Sequence, residues 1–313
     1  SILTGKAEKN YEFYTKILGM RLVKKTVNQD NTESYHLFYA DAEGTPGTEV
    51  TFFDIPHLGR THRGTSDIST VSLRVRNTNA LLFWKDRFTQ FGVQHDEIEK
   101  RANRDSLAFR DFEGTRLILV ADNGENGVRA GVPWPKDDIP QEHAIIGLGP
   151  VTLTVAISEP TIGVLTEVMG FRFAGSYSSL EGNYPDILVY ATGEGGSGAE
   201  VHIETRTDLP RVHLGRGGVH HVAFRVPNEE EYNQWAERLK EFRLPNSGKV
   251  ERYYFKALYF REPNGILFEL STDTPGFATD EPMETMGEKL ALPPFLEPKR
   301  KEIEENLRPL TLH

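Results

Sequence analysis

The chain has no cysteine among its 313 residues. That excludes disulfides, thiolate ligands and any thiol nucleophile, so a metal site here must use nitrogen and oxygen donors. An excess of positive charge is missing too: 36 Lys and Arg against 46 Asp and Glu give a net charge of −10. Nucleic acid or an anionic membrane surface would favour a basic face, so neither is expected as a partner. Long apolar runs are lacking. The nearest, 144–157, is broken by Gly, Pro and Thr and falls short of the ~20 residues of a membrane span. No signal-peptide pattern opens the sequence, and together with the absent cysteines this makes the cytoplasm the expected location. The remainder is an ordinary globular composition, 38% hydrophobic and 26% charged, in a chain long enough for two domains.

What is present is a repeat. A strand–helix–three-strand pattern, βαβββ, recurs four times. The first unit has a helix over 6–18, with Ala7, Tyr11, Tyr14 and Leu18 on one face and Gly19 just past its end, then strands over 20–28, 34–40 and 48–54. The second opens with a strand over 70–75. Its helix, 80–91, stops at Gly92, and strands over 107–110 and 116–120 close it. The third has a strand over 151–155, a helix over 161–169 stopped by Gly170, and strands over 186–190 and 200–203. In the fourth, Asn228 and Glu231 have capping-box spacing, and Tyr232, Trp235, Ala236, Leu239 and Phe242 make one apolar stripe. Strands follow over 249–254, 255–261 and 265–271.

The predicted class is α+β, in two domains. These span 1–124 (units 1–58 and 66–124) and 146–275 (units 146–206 and 217–275), with a turn-rich linker over 125–145. A tail, 276–313, carries a weakly amphipathic helix over 299–307, expected to lie on the body or on a partner subunit of a homo-oligomer.

Alternation along strands locates the chemistry. The strand 217–226 sets Val222, Phe224 and Val226 on one face and His221, Ala223 and Arg225 on the other. The strand 265–271 sets Ile266, Phe268 and Leu270 inward and Leu267, Glu269 and Ser271 away. His221 and Glu269 therefore both project from the face not packed on the core, as two of the three donors of a His-His-carboxylate metal site. Parity sends His220 the opposite way from His221 unless the strand begins or bulges at Gly217-Gly218. His202 and Glu204 also share a face but read as structural. His36 reads as a packed strand residue, and His57, His62, His95, His143, His213 and His313 read as surface residues.

Four units of this shape, with His on the first strand and Glu on the last strand of the fourth, resemble the vicinal-oxygen-chelate superfamily of glyoxalases, bleomycin-resistance proteins and extradiol ring-cleaving dioxygenases. The stretches FYTKILGMRLVKKTVN at 13–28, YHLFYAD at 35–41, GTPGT at 44–48 and VHHVAF at 219–224 are similar to its hydroquinone-type ring-cleaving dioxygenases, among them the hydroquinone-resistance dioxygenases of bacilli. The resemblance covers essentially the whole chain. It implies two cup-shaped half-barrels and a metal between units one and four, held by His221, Glu269 and a further histidine expected just before Ser1, outside the given sequence. It further implies that His220, Arg252 and Tyr259 line the substrate pocket. The implied metal is Fe(II), with Mn(II) or Zn(II) as alternatives, and the implied reactants are a small hydroquinone- or catechol-type aromatic and O2.

Two rival readings stand beside it. A glyoxalase-like lyase or isomerase using Zn or Ni needs a second carboxylate on the last strand of unit one, where Asp54 is the candidate. A metal-free protein that binds a small aromatic ligand is the other.

Overall fold

The computed structural model describes residues 1–312; His313 lies outside the described residues. The four repeats are present. Unit one comprises β1 (Ile2–Thr4), β2 (Arg21–Asn28), β3 (Asn31–Ala40) and β4 (Val50–Asp54). Unit two comprises β5 (Asp67–Val75), β6 (His95–Arg101), β7 (Arg104–Arg110) and β8 (Arg116–Ala121). Unit three comprises β9 (Gly147–Val155), β10 (Arg172–Tyr177), β11 (Ile187–Ala191) and β12 (Glu200–Thr205). Unit four comprises β13 (Val222–Val226), β14 (Val250–Glu251), β15 (Lys256–Arg261) and β16 (Leu267–Thr272). In every unit the first and last strands run parallel side by side, and the helix between the first and second strands makes the crossover.

The helices end where the glycines say they should. In unit one α1 (Ala7–Tyr11) runs on into a π-helical turn, Glu12–Ile17, and Gly19 follows at φ +75. In unit two α2 (Thr78–Phe91) is capped by the Asn77 side chain and ends at Gly92 in the left-handed region. Unit three repeats unit one: α3 (Glu159–Gly163) continues as a π turn, Val164–Val168, before Gly170 at φ +76. In both π turns a threonine hydroxyl donates to the carbonyl four residues back, Thr15 to Tyr11 and Thr166 to Ile162, a bond that loosens the helical ladder. In unit four the Asn228 side chain accepts from the Glu231 amide at 2.9 Å and starts α4 (Glu229–Glu241), as the capping spacing predicts.

Two strands were not legible in the sequence, β6 and β10. They are the two outer edges of an eight-stranded sheet ordered β10-β11-β12-β9-β5-β8-β7-β6. Most of their side chains are exposed, so neither shows the apolar alternation that marks a strand packed on a core.

That sheet joins units two and three through antiparallel β5 and β9. Units one and four keep four-stranded sheets, β1-β4-β3-β2 and β13-β16-β15-β14, and meet where β1 lies against 217–221. Leu3 donates to the Gly218 carbonyl, His220 to the Ser1 carbonyl, and the Ser1 amine to the His221 carbonyl at 3.0 Å. The hydrophobic cores cross this pattern. One combines Tyr14, Phe52, Trp84 and Leu119 from units one and two, and the other combines Leu153, Leu165, Leu258 and Phe268 from units three and four.

The tail folds back over unit one. It includes α5 (Arg300–Asn306), and Leu292, Leu296, Ile303 and Leu307 are buried in the first core. Among the described residues no helix is long and apolar enough to cross a membrane.

Candidate active site

Between the sheets of units one and four lies a cavity of about 1090 Å³. β16 carries Glu269 into it, flanked in register by Ala223 of β13 and Tyr259 of β15. The strand expected from 217 actually begins at Val222. Gly217 takes φ +85, and a Cβ on Gly218 would stand 2.6 Å from the Thr61 hydroxyl, so this glycine pair permits a turn against β1 that other residues would block. His220 and His221 follow that turn outside the regular ladder. Both therefore reach the cavity, and the parity objection to His220 disappears.

His221 Nε2 stands 2.8 Å from Glu269 Oε2, with both side chains almost fully buried. His221 Nδ1 stands 2.9 Å from His220 Nδ1. One arrangement of protons satisfies all three groups. His220 Nδ1–H donates to His221 Nδ1, and His221 Nε2–H donates to Glu269, leaving His220 Nε2 as a free acceptor. Burial holds His221 below the ordinary histidine range, against the opposing pull of Glu269. Burial and then His221 push His220 down to about 4, so both rings are neutral at physiological pH.

Arg252 and Tyr259 complete the wall. The chain breaks between β14 and β15, with Tyr253 at φ +71, so the two residues are not bound by one strand's parity. Arg252 Nε donates to the Tyr259 hydroxyl at 3.2 Å, and the guanidinium grips Asp30 of unit one at 3.1 and 3.0 Å. Burial opposes the Arg252 charge, but the bonds to Asp30 and Tyr259 prevail and raise its pKa. Tyr259 is pushed up by burial and then by the Glu269 charge, so it keeps its proton and is a hydrogen-bond donor.

The family follows from a comparison of sequences. The profile of the Glyoxalase/Bleomycin resistance protein/Dioxygenase superfamily matches residues 1–120 and 147–270. The chain belongs to this superfamily. Within it, MhqA of Bacillus subtilis (strain 168), which bears the provisional name ring-cleaving dioxygenase, is 53% identical over 310 residues, covering 99% of this chain and 97% of MhqA. A chlorohydroquinone/hydroquinone 1,2-dioxygenase of Sphingobium indicum is 29% identical, covering 97% of this chain and 92% of its own. A crystal structure of a provisionally named dioxygenase from Bacillus subtilis superimposes with a TM-score of 0.89 at 32% identity, covering 100% of this chain and 96% of that one. The α+β class and the paired half-barrels expected from the sequence are those of the superfamily.

The donor set suits a metal in part. An imidazole nitrogen and a carboxylate oxygen aim at one another in a buried wall, sharing a proton that a divalent ion would replace. No group of three or more His, Cys, Asp or Glu side chains gathers among the described residues, so a metal here would find two donors in this pair.

Other superfamily-typical candidates are excluded by where their side chains go. Asp54 shares the parity of Phe52, turned to the helix side of β4, and there Arg308 of the tail holds it at 3.0 Å. The carboxylate that a glyoxalase-like site would need is thus outside the cavity. His202 is satisfied by Glu200 and the Tyr177 hydroxyl, both at 2.8 Å, while Glu204 accepts from Thr154 at 2.7 Å; they form a structural network.

Three cavity residues escaped the sequence reading: His36, Thr26 and Glu49. His36 was readable. It alternates with Tyr35, Leu37 and Tyr39, which face the core, so its own face is the opposite one.

Proposed function

We propose that this protein is an Fe(II)-dependent, extradiol-type dioxygenase that opens the ring of a hydroquinone- or catechol-type aromatic and places both atoms of O2 in the product. The observation that carries the reading is the buried His221–Glu269 pair in the wall of a cavity that His220, Arg252 and Tyr259 also line. The names of the relatives point the same way.

His221 and Glu269 would hold the ion, with a third imidazole from the strand that leads into Ser1; Mn(II) or Zn(II) suits the same donors. Bound there, the ion would bring the aromatic and O2 into one coordination sphere and relay electrons between them. The chain's own residues do the rest. His220 is neutral and has Nε2 free, so it can accept a phenol proton. Tyr259 O–H can donate to a substrate oxygen beside Glu269, and Arg252 can balance the negative charge that such an oxygen acquires. Because Asp30 grips Arg252 across the cavity, unit one sets the orientation of a group that belongs to unit four. The reading places the enzyme in the cytoplasm with a small aromatic and O2 as its partners.

The deciding experiment is metal analysis with an oxygen electrode. Iron at one equivalent per chain, and O2 uptake on adding hydroquinone, are the expected results. Turnover of a hemithioacetal without O2 uptake, or absence of both metal and turnover, overturns the proposal.

A further inference from the structure

Unit two contributes no side chain to the His221–Glu269 pair, yet one of its turns reaches the seam beside it. Residues 111–115 join β7 to β8, and Glu113 in that turn is buried. Its carboxylate is engaged with unit one: Oε1 accepts from the Thr4 hydroxyl, and Oε2 from the Gly5 amide at 3.0 Å. Its main chain is engaged with unit four. Gly217, at φ +85, comes so close that a Cβ there would stand 2.6 Å from the Glu113 carbonyl oxygen, an approach that only glycine permits. Three units therefore touch at this one residue. The turn has little freedom of its own, because Asp111 Oδ1 accepts from the Glu113 and Thr115 amides at 2.9 Å each, and Oδ2 from the Tyr14 hydroxyl at 2.9 Å.

From Thr4 and Gly217 backbone bonds lead to the two histidines. Leu3 donates to the Gly218 carbonyl at 2.9 Å and accepts from the Gly217 amide at 2.7 Å, and His220 donates to the Ser1 carbonyl at 2.8 Å. His220 and His221 precede β13, so their own sheet does not hold them; β1 does. Glu269 differs, since it lies inside β16 with β13 and β15 on either side. The sheet fixes the carboxylate, and the seam fixes the imidazoles.

We infer that Glu113 is a positioning residue for His220 and His221. By holding the end of β1 and the Gly217 turn together, it sets where the two imidazoles stand relative to Glu269. The inference rests on the reading of His221 and Glu269 as metal donors, and extends it to a residue of a unit that supplies no donor.

Two measurements on the full chain decide it: imidazole proton–nitrogen correlation spectra of the metal-free protein, and Fe(II) affinity under nitrogen by metal analysis after dialysis. Glu113→Ala should move the His220 and His221 ring signals and lower iron affinity by about tenfold, the lower end of what loss of a supporting group costs. Glu113→Gln can still accept from Gly5 and donate to Thr4, so it should restore both readouts towards wild type. Thr4→Val removes the same bond from the other side and carries the test should Glu113→Ala fail to fold. Val93→Ala truncates a buried core side chain outside the turn, and should leave both readouts unchanged while lowering stability. Unmoved ring signals or unchanged iron affinity in Glu113→Ala and Thr4→Val overturn the inference. So does a Glu113→Gln variant as impaired as Glu113→Ala, or an equal loss in Val93→Ala. The ring spectra need no metal, so the two readings fail separately. Wild type without iron affinity ends the metal reading while the ring signals still decide the positioning; wild type with iron and unmoved rings in the variants ends the positioning alone.

Discussion

His221 Nε2 and Glu269 Oε2 face one another at 2.8 Å from neighbouring chain segments that run parallel. Neither has a competing strong partner at that atom, so removing either side chain leaves the other unable to hold a cation alone. His221→Ala and Glu269→Ala are each expected to lower iron affinity by at least about a hundredfold, the upper end of what the loss of even a supporting group costs. Circular dichroism should stay native, because the pair faces the cavity and not a core. Elemental analysis after gel filtration is the measurement; normal iron in either variant ends the ligand assignment.

Tyr259 and Arg252 act on substrate, and Asp30 acts on Arg252. Tyr259→Phe should retain iron and slow turnover by about a hundred- to a thousandfold, the effect of deleting one donor aimed at developing charge. Asp30→Ala should raise KM a few-fold and leave thermal stability alone, since Asp30 is 73% exposed and exposed ion pairs contribute roughly 0–1 kcal/mol. Steady-state kinetics together with a melting curve separate these outcomes from a simple loss of fold.

The sequence carried the repeat and the outward face of Glu269 because both depend on local periodicity. Asn228 caps α4 and Glu269 faces the cavity as their positions predict. What was not legible depends on distant partners. The chain at 217–221 leaves the strand because β1 lies beside it, which brings His220 and His221 together. Asp54 looks like a spare carboxylate until Arg308, 254 residues later, takes it. β6 and β10 are exposed edges without an inward face to leave a pattern.

Glu49 gives the cavity a pH dependence. It lies in the cavity wall, half-buried, and burial raises it from 4.5 to about 8 against the pull of Arg225, with Asp273 and Asp41 adding repulsion. Between those two pH values the folded protein keeps a proton that the unfolded chain has released, so this residue's penalty is absent below about pH 4.5 and grows until about pH 8. Glu49→Gln removes it. The variant should melt like wild type at pH 5 and be more stable by about 2 kcal/mol at pH 8.5, an amount reduced from the full shift because cavity water solvates the carboxylate. A melting difference that is flat across this range would show that Glu49 is ionised throughout.

The tail holds the substrate wall in place from behind. Ala291 donates to the Lys25 carbonyl at 2.9 Å, extending the unit-one sheet beyond β2. The Lys24 side chain, fully buried, reaches Asp280 at 2.7 Å and Glu281 at 2.5 Å. Ile303, 3% exposed, fills the core behind β3 together with Leu296 and Leu307. Ile303→Ala leaves a cavity there and should destabilise the protein by roughly 2–4 kcal/mol. The loss should be felt first in β2 and β3, which the tail covers, and these strands carry Thr26 and His36. Amide exchange in both strands should therefore quicken in Ile303→Ala, and hydroquinone affinity should fall with it. Equal quickening over all four units would mean that the tail stabilises the molecule as a whole and has no particular bearing on the pocket.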